Sequence, residues 1–332
     1  MKKRLLKIVS LGVYFLVFYL LADVFLFLSL PLNSGGEEKK VLIQKGSSFK
    51  QVVQLLKKEG LLRSPTRFYL MAKFLGITDK VKAGEYLMNT SMLPQEILQK
   101  MLLGEVIRYR VTIPEGYTIR QIAGYLENQG IIKDQEGFLR LAFSPEFIAS
   151  LGIDGEGVEG YLFPDTYFFP KGLPPEEMIK TMVRNFKQVY KTDFTLRAAE
   201  LGLTDREIII LASIIEKETG LIEERSIISA VFHNRLKRGM ALCSDPTVIY
   251  GIVQFDGNLR KEDLAKETPY NTYFIKGLPP GPISNPGKSS ILAALHPAPV
   301  EYLYFVSRND GTHHFSKSLR EHNEAVRRYQ KR

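Results

Sequence analysis

The stretch that most limits how this chain can fold is residues 204–220, TDREIIILASIIEKETG. Thr204 and Glu207 stand at capping-box spacing, so a helix begins here. Ile208, Ile209, Ile210, Leu211, Ala212, Ile214 and Ile215 then cover most of its circumference. A helix apolar on nearly every side has to be enclosed by other elements. Gly220 is the expected stop. Charge returns only in the last turn, as Glu216, Lys217 and Glu218. A carboxylate there meets the negative end of the helix dipole and partial burial, and both raise its pKa. A general acid working near neutral pH needs such a pKa. Residues three, four and seven apart share a helix face. Glu218 therefore lies over Leu211, Ile214 and Ile215, and Glu216 over Ile209, Ala212 and Ser213, so the two cannot act as one acid–base pair. The bulky neighbours favour Glu218 as the acid. The competing reading makes both of them solvated carboxylates where a core helix emerges.

A second constraint sits at the other end of the chain. Lys2, Lys3, Arg4 and Lys7 precede an apolar run, Ile8–Leu32, interrupted by Asp23. The run exceeds the ~20 residues that span a bilayer, and it lacks a small-residue cleavage site. The expectation is an uncleaved single-pass anchor over 8–32, with residues 1–7 in the cytoplasm and the remainder on the periplasmic or extracytoplasmic side of the inner (cytoplasmic) membrane. Asp23 either faces a partner helix or is simply tolerated.

The remaining 300 or so of the 332 residues suggest about two domains. Net charge is +9, which suits an acidic polymer, anionic lipid or nucleic acid. The basic residues are scattered and no nucleic-acid motif is present, so a nucleic-acid partner is not expected. Cys243 is the single cysteine, which excludes an intramolecular disulfide.

Two segments match without gaps: Val41–Leu62, VLIQKGSSFKQVVQLLKKEGLL, and Val111–Ile132, VTIPEGYTIRQIAGYLENQGII. Each reads as strand, Gly turn, Ser48 or Thr118 cap, amphipathic helix and Gly stop. Ala83–Glu105 adds another strand and helix. The generic reading is a βα unit. The pattern also resembles a LysM module, a small domain associated with N-acetylglucosamine polymers, although a second strand is not evident in either copy.

In the second half, GVEGYLFPDTYFFPKG either lines a sugar cleft with its rings or forms a buried connector. A helix over Ile222–Arg238 precedes CSDPTVIYG, where Asp245 is a good N-cap and Pro246 a good first helical residue. Pro279, Pro280, Pro282 and Pro286 stiffen the loop 270–287 so that it can present side chains. Tyr270, Asn271 and Tyr273 there offer ring faces and hydrogen bonds suited to an acetamido sugar; alternatively Asn271 holds a turn and the tyrosines are core. A hairpin turns about Asn309–Gly311, and a basic helix ends the chain. Gly287–Lys288–Ser289 fails the phosphate-loop spacing, since residue 282 is Pro. His233, His296, His313, His314 and His322 form no metal-binding pattern. No metal and no cofactor are expected.

At this point the motifs EGYLFPDTY, ASIIEKETG, FHNRL, SDPTVIYG, YNTY, GLPPGPISNPG, HPA and HHFSKSLREHN can be taken together. In this order they resemble the endolytic murein transglycosylases, the YceG-like proteins, over essentially the whole chain. The resemblance implies an α+β fold: a transmembrane helix, a LysM-like domain over 39–105, and a mixed, mainly helical catalytic domain over 106–332 that includes the second LysM-like repeat and a small β-hairpin. It implies a lyase that cleaves peptidoglycan strands internally between N-acetylmuramic acid and N-acetylglucosamine, leaving 1,6-anhydro ends and terminating nascent strands. Glu218 takes the place of the catalytic glutamate. Asp245, Tyr270, Asn271, Tyr273 and Asn285 are the expected substrate-binding residues. Implied partners are the glycan strands and penicillin-binding or other wall-synthesis proteins. Cys243 stands where the family pattern has Gln. Two other readings remain open: a hydrolytic muramidase using Glu218 with Asp245, and a non-enzymatic, membrane-anchored glycan-binding scaffold.

Overall fold

Both copies of the repeat close their helices in the same way. The Ser48 hydroxyl accepts from Gln51 N–H while the Gln51 side chain accepts from Ser48 N–H, and Thr118 and Gln121 do likewise. The turn before each cap needs glycine: Gly46 and Gly116 have φ of 84° and 75°. The computed structural model describes residues 2–33 and 35–330, with side chains from residue 10 onward. The cluster Lys2, Lys3, Arg4 and Lys7 therefore lies outside the described side chains. Contacts divide the chain into two units, Met1–Tyr109 with Phe168–Leu173, and Arg110–Tyr167 with Pro174–Arg332.

The first unit begins with α1 (Lys2–Ser29), whose segment Ser10–Ser29 is long and apolar enough to cross a membrane. Next come β1 (Glu38–Ile43), α2 (Phe49–Lys58), α3 (Pro65–Phe74), β2 (Gly84–Asn89) and α4 (Pro94–Leu103). β1 and β2 pair antiparallel with Val41 opposite Tyr86. β2 and α4 are the strand and helix expected within Ala83–Glu105. Val41, Val52, Leu56, Phe68, Tyr86, Ile97 and Met101 form the core, and Phe27 of α1 packs against it. Asp23 pairs with Arg67 of α3 at 2.9 Å, so within this chain it has a charged partner.

The second half of the chain continues with β3 (Tyr109–Thr112), α5 (Ile119–Asn128), α6 (Gln135–Ala142), α7 (Pro145–Ser150), β4 (Thr166–Phe169), α8 (Pro175–Val189) and α9 (Thr192–Glu200). Then follow α10 (Asp205–Glu218), α11 (Ile222–Lys237), α12 (Asp245–Tyr250), α13 (Lys261–Ala265), α14 (Lys288–Leu295), the hairpin β5 (Tyr304–Ser307) and β6 (His313–Ser316), and α15 (Leu319–Tyr329). β3 pairs with β4, and the result is a mixed α+β fold with small two-stranded sheets.

α10 is the axis of the second unit. Ile208 through Ile215 are all buried, packed against α11, α14 and Phe186 of α8. The aromatic stretch before β4 is a buried connector: Leu162 is fully enclosed and Tyr161 meets Phe186 edge-on at 5.0 Å. Gly160 lets that connector touch α10, since a Cβ there would lie 2.8 Å from Ile209 Cγ2 and 2.7 Å from Pro282 Cγ. α10 ends where expected, with Gly220 just past its C-cap, but without a left-handed glycine. Thr219, extended at φ −146°, breaks the helix one residue before Gly220 and accepts from Leu221 N–H through its hydroxyl.

Candidate active site

The last turn of α10 separates its two glutamates completely, and neither is a solvated surface carboxylate. Glu216 turns to Arg225 of α11, 3.0 Å away, with both side chains nearly sealed from solvent. Its second oxygen accepts from Gly287 N–H at 2.9 Å, at the N-terminus of α14. The lone Gly-Lys-Ser element is therefore a helix start filled by this chain's own carboxylate. A Cβ at Gly287 would overlap Glu115, which lies on the other side of Arg225 at 3.5 Å.

Glu218 points the other way, towards the start of α12. The Ser244 hydroxyl donates to Glu218 Oε1. Burial pushes the Glu218 carboxyl up to about 7; the Ser244 bond pulls it down, Asp245 pushes it up and Arg235 pulls it down. The residue keeps partial exposure, so the acid is enclosed without being sealed off. Such a group holds a proton near neutral pH and can release and regain it. Arg235 is buried, its Nε donating to Leu303 O at 2.7 Å and Nη1 to Leu242 O at 2.5 Å. The FHNRL motif is thus a clamp on the segment 294–303: His233 Nε2 meets Ala294 O, and Asn234 Nδ2 donates to Val300 O and Tyr302 O.

Asp245 does not cap α12. Ser244 holds the cap position, neither side chain makes a capping bond, and Asp245 Oδ1 instead accepts from the Tyr273 hydroxyl at 2.6 Å. The loop 271–273 is laced to this edge: Cys243 N–H donates to Thr272 O at 3.0 Å and Ser244 N–H to Thr272 Oγ1 at 2.9 Å. Cys243, exposed and held at φ 49°, borders the same site. Glu218, Ser244, Asp245 and Tyr273 therefore stand together.

Residues 41–328 match the YceG-like family. The chain belongs to that family. It is 35% identical over 306 residues to an endolytic murein transglycosylase of Bacillus subtilis, covering 86% of this chain and 83% of that one. It is 31% identical to an endolytic murein transglycosylase of Streptococcus pneumoniae, covering 97% of this chain but 63% of that longer protein. A crystal structure of a YceG-like protein from Listeria monocytogenes superposes with a TM-score of 0.60 at 33% identity, covering 87% of this chain and 98% of that one.

The other three expected site residues of this YceG-like chain have their side chains engaged within the fold. Asn271 is fully buried; its Nδ2 donates to Leu264 O and Lys266 O, and its Oδ1 accepts from Tyr273 N–H. It holds a turn, the alternative that the sequence left open. Tyr270 is half-buried with its ring 4.9 Å from that of Tyr250. Asn285 is also fully buried, because the proline-stiffened loop is fastened into the core and not held out from it. Ile283 N–H donates to Ser213 Oγ at 3.0 Å. Asn285 Nδ2 donates to Tyr117 O and to Glu159 Oε1, and its Oδ1 accepts from Leu162 N–H. Glu159 is the centre of this second polar cluster. It also accepts from Ile119 N–H at the start of α5 and from the Tyr250 hydroxyl, and burial pushes its carboxyl up to about 8 against the pull of those bonds. Sequence spacing does not single out Ser244 as the partner of Glu218 or Thr272 as the tie to its edge; their place within SDPTVIYG and YNTY is the signal they carry.

Proposed function

We propose that this chain is a membrane-anchored peptidoglycan lytic transglycosylase that cuts between N-acetylmuramic acid and N-acetylglucosamine within glycan strands. The observation that carries the reading is the Glu218 carboxyl, raised to about 7 beside Ser244 at an accessible edge of α10. Protonated Glu218 donates to the leaving glycosidic oxygen. As a carboxylate it then takes the proton from the muramic 6-hydroxyl, whose oxygen bonds to C1 and closes the 1,6-anhydro ring. The sugar's own hydroxyl replaces the water of an ordinary glycosidase, so a second catalytic carboxylate is unnecessary. In this reading Asp245 and Tyr273 bind the sugar, and Ser244 orients the acid; the Ser244–Glu218 and Tyr273–Asp245 hydrogen bonds support it. The names of the Bacillus and Streptococcus relatives support this reading.

Asp245 keeps hydrolysis as a second reading, because it is close enough to act electrostatically on Glu218. Mass spectrometry of purified glycan strands after incubation separates the two. Products one water lighter than the hydrolytic ones are expected, and Asp245→Asn should still form them. Products with free reducing ends, abolished in Asp245→Asn, would establish a muramidase; no product at all would leave only a scaffold.

Within this reading, 8–32 is the anchor, 39–105 a LysM-like glycan-holding domain and 106–332 the catalytic domain. The β1–α2–α3–β2 order supports the second assignment. The basic N-terminus supports an outward-facing enzyme working beside wall-synthesis proteins such as penicillin-binding proteins. Protease treatment of spheroplasts should remove a C-terminal tag.

A further inference from the structure

One face of the first unit is unlike the rest of its surface. α3 buries Phe68 and Ala72 but turns Arg67, Leu70, Lys73 and Phe74 outward, on one helical stripe. Leu70 is 57% exposed, Phe74 91%, and Leu75 just beyond the helix 56%. Residues Arg63 to Ile77 contain three cations and no acid. Scattered apolar residues on a surface need no explanation, but three grouped with cations mark a contact site.

The position of this face names its occupant. Arg67 of α3 pairs with Asp23, which lies six residues before the end of α1. At ~1.5 Å per residue that is ~9 Å inward from the end of the apolar helix. Arg63 and the Arg67–Asp23 pair also line a cavity of ≈ 440 Å³ whose other wall includes Leu26 and Leu30 of α1, so Arg63 is the cation there that Asp23 does not already balance. Leucines on one wall and the Arg63 guanidinium on the other suit an acyl chain and its anionic headgroup.

We propose that α3 is an interfacial helix seated in the outer leaflet of the bilayer that α1 crosses, with Leu70, Phe74 and Leu75 among the acyl chains, Arg63 and Lys73 on anionic phospholipid headgroups, and Arg67 held to α1 by Asp23. This rests on the reading of α1 as a membrane anchor. Interfacial helices of this composition bury their apolar face ~5–10 Å deep, which matches the depth of Asp23. The first unit would then be held at a fixed distance from the membrane instead of swinging on a tether.

The chain has no tryptophan, so one introduced residue reports its own environment. The test uses the full chain in vesicles of phosphatidylglycerol and phosphatidylcholine, with and without bromine on the acyl chains. Leu20→Trp reports on the anchor and Phe74→Trp on α3. Both are expected to be quenched by the brominated lipid, Phe74→Trp by about twofold, because its ring lies within the ~5–10 Å interfacial zone. Quenching at Leu20→Trp but not Phe74→Trp would overturn the seating of α3 and leave the anchor intact. Quenching at neither would overturn the anchor and the seating together. Equal quenching of Phe74→Trp in phosphatidylcholine alone would overturn the role given to anionic headgroups. Leu75→Trp replaces Phe74→Trp if the latter does not melt like the parent protein.

Discussion

Glu218→Gln separates the energetic from the chemical consequence of a buried acid. A carboxyl held at about 7 instead of 4.5 binds its proton more tightly in the folded chain than in the unfolded one. Stability therefore falls as pH rises from about 4.5 to about 7, and the loss persists above. At ~1.36 kcal/mol per pH unit the ceiling is roughly 3 kcal/mol, and the partial exposure of the residue lowers it to about 1–3 kcal/mol. Glutamine keeps an oxygen for the Ser244 hydroxyl but never ionises. The variant should thus melt close to wild type at pH 4.5 and progressively higher than wild type towards pH 8. Turnover should fall by about 10²–10⁴-fold at every pH, the usual contribution of general acid–base catalysis. In the wild type, kcat/KM should decline as pH rises through about 7, as the acid loses its proton. Thermal melts at matched ionic strength and anhydro-product assays across this range read both effects. A melting difference that does not change with pH would show that the carboxyl is not perturbed, and retained activity would remove Glu218 from the chemistry.

Ser244→Ala removes the donor that pulls the Glu218 pKa down, so the alkaline limb of the pH–rate profile should move upward; turnover should fall roughly tenfold, as for ~1.4 kcal/mol of lost positioning. Asn271→Ala leaves two carbonyls and one N–H without their side-chain partner, and should lower stability by about 1–3 kcal/mol together with activity; unchanged melting with lost activity would return Asn271 to the substrate site. Glu216→Gln removes the charge facing buried Arg225 and should destabilise by about 3 kcal/mol, the low end for a broken buried pair because Glu115 remains 3.5 Å away. A melt of Glu216→Gln that matches wild type would mean that the pair is solvated.

What could be read from the sequence was local and periodic. The Ser48 and Thr118 caps of the repeat, the burial of α10 around its circumference and the opposite facing of Glu216 and Glu218 follow from spacing within one element. What could not be read was direction. Asn271 and Asn285 have the hydrogen-bonding capacity of sugar ligands, but backbone groups of other segments claim it: Leu264 and Lys266 for one, Tyr117 and Leu162 for the other. Asp245 looked like a cap because the residues beside it are helix starters; the fold brings Tyr273 within reach and the side chain turns to it. Arg225 stands nine residues from Glu216, yet only the extended Thr219 between their helices makes them neighbours. Gly220 looked like the stop because glycine permits the left-handed exit that a chain leaving in an extended conformation does not need.

The cluster around Glu159 makes the two copies of the repeat unequal for anyone who cuts or recombines this chain. The buried face of the helix of the first copy, Phe49, Val52, Val53 and Leu56, packs within one small hydrophobic core. The helix of the second copy is knotted through Ile119 to Glu159, and from there to Asn285 and Tyr250. A splice at Ile132 that imported a foreign version of 111–132 would have to reproduce that knot, and a truncation beginning there would remove a wall of the enzyme.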